Sequence, residues 1–156
     1  MRPIVRVWLG AAMLLCGVPL AHARPNFSGT WKLNAAKSNF GAIRAPALRI
    51  DKISHKGPLI EDSFTQSGQR GEQTAHMKYS TDGRETTNIL PSGEIKTKAR
   101  WEGNYLVIDG QTGYNGASVI LEDRWSLSAD GRTLTIQRHV NSPRGETDQL
   151  IVLEKQ

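Results

Sequence analysis

Cysteine is nearly missing from this chain: one residue, Cys16, among 156. A single thiol excludes an internal disulfide framework and every CxxC zinc or redox motif. Aromatic residues are scarce, at 6% against 15 glycines, which argues against a large aromatic-packed core. No apolar run is long enough to span a bilayer as a helix. The longest covers 7–20, 14 residues where about 20 are needed. There is no Gly-x-Ser-x-Gly elbow, no phosphate-binding loop and no Gly-x-Gly-x-x-Gly. Neither charge sign dominates: 20 Lys+Arg face 15 Asp+Glu, a net charge of +5. The length and 38% hydrophobic content suit one globular domain.

The N-terminus is patterned differently from the rest. A basic start with Arg2 and Arg6 precedes the uncharged run 7–20, and Ala21-His-Ala23 is a small-x-small cleavage site. Together these are the three parts of a secretory signal peptide, expected over 1–23, with the domain over 24–156. A lipoprotein reading would acylate Cys16, but Leu15 stands where such signals carry a small residue. Cleavage after Ala23 leaves 133 of the 156 residues and removes Arg2 and Arg6, so +5 becomes +3. It also removes Cys16. The expected mature chain is exported and thiol-free, so its core must hold it together. A charge of +3 is too modest to point to nucleic acid.

The remainder reads as short alternating runs separated by Gly, Asp, Asn and Pro. Asp82-Gly83 and Asp130-Gly131 are hairpin signals, because glycine supplies positive φ. Ten strands follow, with an imperfect beat over 48–55 that predicts a bulge near Lys52. A Gly-rich loop is expected over Gly110–Gly116, and the longest irregular stretch over 34–47. Short connections give an up-and-down antiparallel meander, and closure into a single β-barrel of about ten strands removes its edges. The fold class is therefore all-β.

Period 2 places Ile95, Thr97, Ala99 and Trp101 on one strand face and Lys96, Lys98 and Arg100 on the other. The cationic face is either an ordinary solvated surface or a stripe for an anionic partner. Ala75, Met77 and Tyr79 share another apolar face, as do Leu106 with Ile108 and Trp125 with Leu127. Such faces either fill a barrel or wall a ligand cavity. The candidate wall residues are Phe64, Met77, Tyr79, Ile95, Trp101, Leu106 and Trp125. His55, His76 and His139 are dispersed and imply no metal site. Glu61-Asp62 and Glu122-Asp123 are adjacent, so each pair points to opposite faces and reads as solvated charge.

Phe27-Ser-Gly29-Thr-Trp31-Lys-Leu33 resembles the first strand of the calycin barrels: lipocalins, fatty-acid-binding proteins and avidins. Trp101-Glu-Gly-x-x-Leu106, Asp130-Gly131 and Val152-Leu-Glu-Lys155 resemble the fatty-acid-binding members. The ordered set Asn26–Asn34, Lys37-Ser38, Asp123-Arg-Trp-x-Leu-Ser128 and Glu154-Lys155-Gln156 also resembles small exported lipocalin-like proteins of bacteria. The resemblance implies that Gly29 and Trp31 close one barrel end, with Arg138 or Arg124 across the indole as a cation–π partner. The family's helical lid would have to fit in 34–47, which is short and carries Gly41 and Pro46. Its carboxylate clamp would fall at Ile151 and Leu153, so that mode of fatty-acid binding is not expected.

The expected function is non-enzymatic binding of a small, largely apolar ligand inside the barrel, with no cofactor. An alternative is an interaction or inhibitor module using an arm at Arg24–Phe27 and the loop Gly110–Gly116. A barrel enzyme would need titratable groups converging in the lumen. The sequence does not name the protein partner that an interaction module would take.

Overall fold

Alternating side chains with glycine at the turns produce antiparallel ladders, because period 2 sends every second residue to the same face. The computed structural model describes residues 23–69, 71–114 and 116–156. The expected signal segment therefore lies, except for its last residue, outside the described residues. The strands are β1 (Gly29–Leu33), β2 (Leu48–Lys56), β3 (Leu59–Gly68), β4 (Gly71–Ser80) and β5 (Glu85–Leu90). They continue as β6 (Gly93–Glu102), β7 (Tyr105–Tyr114), β8 (Ala117–Leu127), β9 (Thr133–Ser142) and β10 (Gly145–Lys155). A single 3-10 turn, Ala35–Lys37, is the helical content of the described residues. None of these elements is a helix long and apolar enough to cross a membrane.

All ten strands form one sheet in the order β4-β3-β2-β1-β10-β9-β8-β7-β6-β5. The sheet curls so that β4 meets β5, and that last seam is bridged by side chains. Lys78 N–H donates to Asn88 Oδ1 (2.7 Å), and Asn88 Nδ2 donates to the Lys78 carbonyl (3.0 Å). One amide side chain thus stands in for a ladder pair. Closure does not remove both edges by backbone pairing alone; it covers them with Asn88.

Two local expectations are corrected. The β2–β3 register runs unbroken from Leu48↔Ser67 to Lys56↔Leu59, so there is no bulge near Lys52. The beat looked broken because Arg49 and Asp51 face inward with Ile53. Gly110–Tyr114 is not loop but the end of β7, paired to β8 as far as Tyr114↔Ala117. Gly110 is there for packing: a Cβ would lie 2.8 Å from Leu121 Cγ on the facing strand.

The chain direction sorts the connections to two ends. The segment 34–47 and the β3–β4, β5–β6, β7–β8 and β9–β10 turns gather at one end, called here the mouth. The remaining turns and residues 24–28 gather at the other. The core fills that second end with Phe27, Trp31, Leu106, Trp125, Leu134, Ile136, Ile151 and Leu153, all essentially without solvent exposure. Each such side chain contributes about 1.5–3 kcal/mol by leaving water. The 34–39 segment extends the β1 edge along β10. Asn34 N–H donates to the Val152 carbonyl, and Val152 N–H donates to Ser38 Oγ.

Candidate functional site

The closed end is an aromatic stack. The Phe27 ring lies edge-on to Trp125 (5.6 Å) and parallel to Trp101 (5.9 Å) and His55 (5.8 Å). Phe27, Trp31, Trp101 and Trp125 gather at this end, whereas Phe40, Phe64 and Tyr79 lie toward the cavity and the mouth. Trp31 Nε1 donates to the Phe27 carbonyl at 2.9 Å. Lys155 Nζ sits 5.2 Å from the Trp31 ring, so the cation on that indole is neither Arg138 nor Arg124. Gly29 makes room for it, since a Cβ there would lie 2.8 Å from Lys155 Cε. Arg124 instead lies over Tyr105 (4.8 Å) and pairs with Glu102 (2.8 Å). Burial lowers the pKa of His55, and the Phe27 N–H donates to its Nδ1.

Above this stack the lumen becomes polar. Arg49 and Asp51 stand two apart on β2, which puts them on one face. Arg49 Nε and Nη2 donate to the two Asp51 oxygens at 2.8 and 2.7 Å. Asp123 and Arg138 are direct cross-strand neighbours on β8 and β9. Arg138 Nε and Nη2 donate to the two Asp123 oxygens at 2.7 Å each. Burial opposes the charge of each guanidinium, and the adjoining carboxylate more than offsets it, so both arginines are held more firmly protonated. Such fork-to-fork pairs match each guanidinium charge with one carboxylate and use two of its five N–H donors.

Asp62 has no such arginine. It is buried on β3, and its Oδ1 has no hydrogen-bond partner among the described residues. Burial and the nearby Asp51 charge outweigh Arg49 and Arg138 and push its carboxyl up to about 8. Tyr79 is likewise raised, first by burial and then by Asp62 and Asp123. Trp125 Nε1 is the second buried polar atom without a partner. Asp62 and Trp125 both border one cavity of about 150 Å³ inside the barrel. That cavity adjoins a cleft of about 830 Å³ at the mouth, and Arg49, Gln66 and Arg138 border both. Phe40, Ile43 and Pro46 from the 34–47 segment and Gln149 and Ile151 from β10 also line the cleft.

The structure distributes the expected wall residues unevenly. Phe64, Met77, Tyr79, Ile95 and Trp125 border the inner cavity. Leu106 does not. It is the cross-strand partner of both Trp101 and Trp125 and is packed in the core. Trp101 belongs to the closed end, where Arg24 lies 5.5 Å over its ring. Asp62 and Asp123 are not solvated charge, as the adjacent acidic pairs suggested, but the inward members of those pairs. Arg49, Asp51, Asp62 and Asp123 went unnoticed as site residues, although a signal was present. Arg49 and Asp51 share parity with Ile53, Asp62 with Ile60 and Phe64, and Asp123 with Leu121 and Trp125.

The cationic face of β6 is laced with acids: Lys98 reaches Glu85 (3.7 Å), and Arg100 binds Glu102 and Asp109. Phe27 is a fully buried plug, not part of a free arm, and Gly110–Tyr114 is strand. Of the interaction-module elements, Phe27 and Gly110–Tyr114 are thus parts of the barrel, whereas Arg24 and Asn26 stay exposed ahead of β1. Among the described residues no cluster of three His, Cys, Asp or Glu side chains could hold a metal ion. Titratable groups do converge in the lumen, and two of its three aspartates are fully engaged by arginine.

No protein-family model matches the chain, and no curated protein matches it. Solved structures do. The zebrafish ileal bile-acid-binding protein in complex with cholic acid superposes with a TM-score of 0.57 at 16% identity, covering 83% of this chain and 98% of that one. A variant of the fluorescent protein UnaG gives 0.56 at 20% identity, covering 83% and 96%. Echinococcus granulosus fatty-acid-binding protein 1 gives 0.51 at 14% identity, again covering 83% and 96%. The chain has the fold of these fatty-acid-binding-protein-type calycin barrels, which the Gly29-x-Trp31 strand and the ordered motifs implied.

Proposed function

We propose that this chain is an exported, non-enzymatic barrel that binds a small, largely apolar molecule in its lumen. One observation carries the reading. The inner cavity, walled by Phe64, Met77, Ile95 and Trp125, adjoins the mouth cleft across Arg49, Gln66 and Arg138. The inner cavity alone is below the roughly 300 Å³ of ordinary ligand pockets, so a ligand must extend from it into the cleft. The zebrafish protein of the same fold holds cholic acid, a compact amphiphile. The N-terminal Arg2–Ala23 pattern supports export, and the engagement of Asp51 and Asp123 by arginine supports binding without chemistry.

The test is binding of an environment-sensitive apolar dye to the chain beginning at Arg24, with native mass spectrometry of the same protein purified from an exported fraction. Dye retention, lost at least tenfold on Leu90→Trp with an unchanged melting curve, is the expected result. Leu90 borders the inner cavity, and the larger ring fills it. A chain that retains neither dye nor any copurifying small molecule overturns the reading.

A further inference from the structure

The lumen holds two guanidinium groups, Arg49 and Arg138, and three carboxyl groups, Asp51, Asp62 and Asp123. Each arginine already gives two parallel hydrogen bonds to its own aspartate. With each guanidinium charge already matched by its own aspartate, an incoming carboxylate would bring uncompensated negative charge into the lumen. There is no cationic excess for an anion to use. An incoming ammonium finds no free carboxylate, since Asp51 and Asp123 are held by the arginines and burial with the Asp51 charge keeps Asp62 protonated at neutral pH. What the lumen does offer is two buried polar atoms with no partner among the described residues, Asp62 Oδ1 and Trp125 Nε1, carried by residues that border one cavity. A buried polar atom left without a partner is destabilising, so native interiors rarely keep two together without use.

We propose that the lumen selects a ligand whose inner end is an uncharged hydrogen-bonding group, an alcohol or a carbonyl, received by Asp62 and Trp125. The proposal rests on the binding reading above and specifies the head group. The indole N–H of Trp125 donates to the ligand oxygen. Asp62, held protonated at neutral pH by burial and by Asp51, either donates its own O–H or accepts a hydroxyl proton. The cavity of about 150 Å³ admits a head of a few heavy atoms, and the apolar body extends past Arg49 and Arg138 into the mouth cleft. The charged and titratable groups facing Asp62 are Arg49 and Asp51 from β2, Tyr79 from β4, Asp123 from β8 and Arg138 from β9.

The experiment compares 1-dodecanol, dodecanoate and dodecylamine at pH 7 by displacement of the apolar dye from the chain beginning at Arg24. Dodecanol is expected to bind at least tenfold more tightly than either charged homologue. Asp62→Asn, which keeps a neutral donor and acceptor, should hold dodecanol within threefold, whereas Asp62→Leu should lose it at least tenfold. Raising the pH to 9.5, which removes the Asp62 proton, should weaken binding of 2-dodecanone, a pure acceptor, to the parent protein but not to Asp62→Asn. Tightest binding of dodecanoate or of dodecylamine overturns the head-group assignment while leaving the binding reading intact. Equal affinity for all three, or full retention by Asp62→Leu, overturns it too. Dye displacement by none of them, with no dye bound at the outset, overturns both.

Discussion

The two ends of one barrel solve burial in opposite ways. At the closed end the buried cluster is apolar and aromatic, and the Trp31 indole N–H finds the Phe27 carbonyl. A short distance along the same strands, Arg49, Asp51, Asp62 and Asp123 are buried at 6% exposure or less. The first region gains stability from packing. The second engages four of its five ionisable side chains in two ion pairs and leaves Asp62 unmatched. Stability and specificity are thus separated along the barrel axis: the closed end holds the fold, and the polar lumen sets what can enter.

Substitutions can break that comparison in graded steps. The largest loss is expected for Trp31→Ala, about 4 kcal/mol in urea unfolding, because it opens a cavity in the packed end. A loss below about 1 kcal/mol would show that the closed end does not hold the fold. Asp123→Ala comes next, at about 3 kcal/mol, since it strands the Arg138 charge. The double change Asp123→Leu with Arg138→Met should recover most of that loss. If it recovers none, the pair contributes through net attraction and not merely by mutual neutralisation.

The pH dependence sharpens the contrast further, because the two regions respond with opposite sign. Between about pH 4 and 8 the folded chain keeps a proton on Asp62 that the unfolded chain has released. Stability therefore falls as pH rises through that window and levels off above it, by on the order of 5 kcal/mol. Asp62→Asn should flatten this slope in melts taken from pH 4.5 to 9. His55 at the closed end acts the other way and is the smallest effect. Its lowered pKa means the unfolded chain takes up a proton more readily, so its contribution is present above pH 6.5 and lost as pH falls. A shallow loss in melting temperature from pH 7 to 5 that disappears in His55→Gln is the expected signature.

Much of the barrel is legible in the residues. Strand β5 begins and ends at Glu85 and Leu90, where Asp82-Gly83 and Pro91-Ser-Gly93 punctuate the chain. Inward parity on β6 follows Ile95, Thr97 and Ala99 because the period of a strand is strictly 2. The site is less legible. Phe64, Met77, Tyr79, Ile95 and Trp125 are recognisable as wall because they are apolar and alternate, whereas Asp62 and Asp123 look like surface charge. Adjacent carboxylates in one strand carry no mark of which one faces in; only the parity of their neighbours tells.

While the Gly29-x-Trp31 closure came from the chain's resemblance to other barrels, the sequence by itself determined a strand-and-turn chain, its inward parity and a fold that no disulfide staples. These are local properties, set by side-chain alternation and glycine backbone freedom. Tertiary structure decided which cation covers Trp31, that Asn88 seals the seam, and that five charged side chains from four strands meet in the lumen. Residues as far apart as Arg49 and Arg138 share that space only because closure brings β2 and β9 around one axis. The strength of a buried charge depends on what encloses it, and enclosure is not a property of any segment.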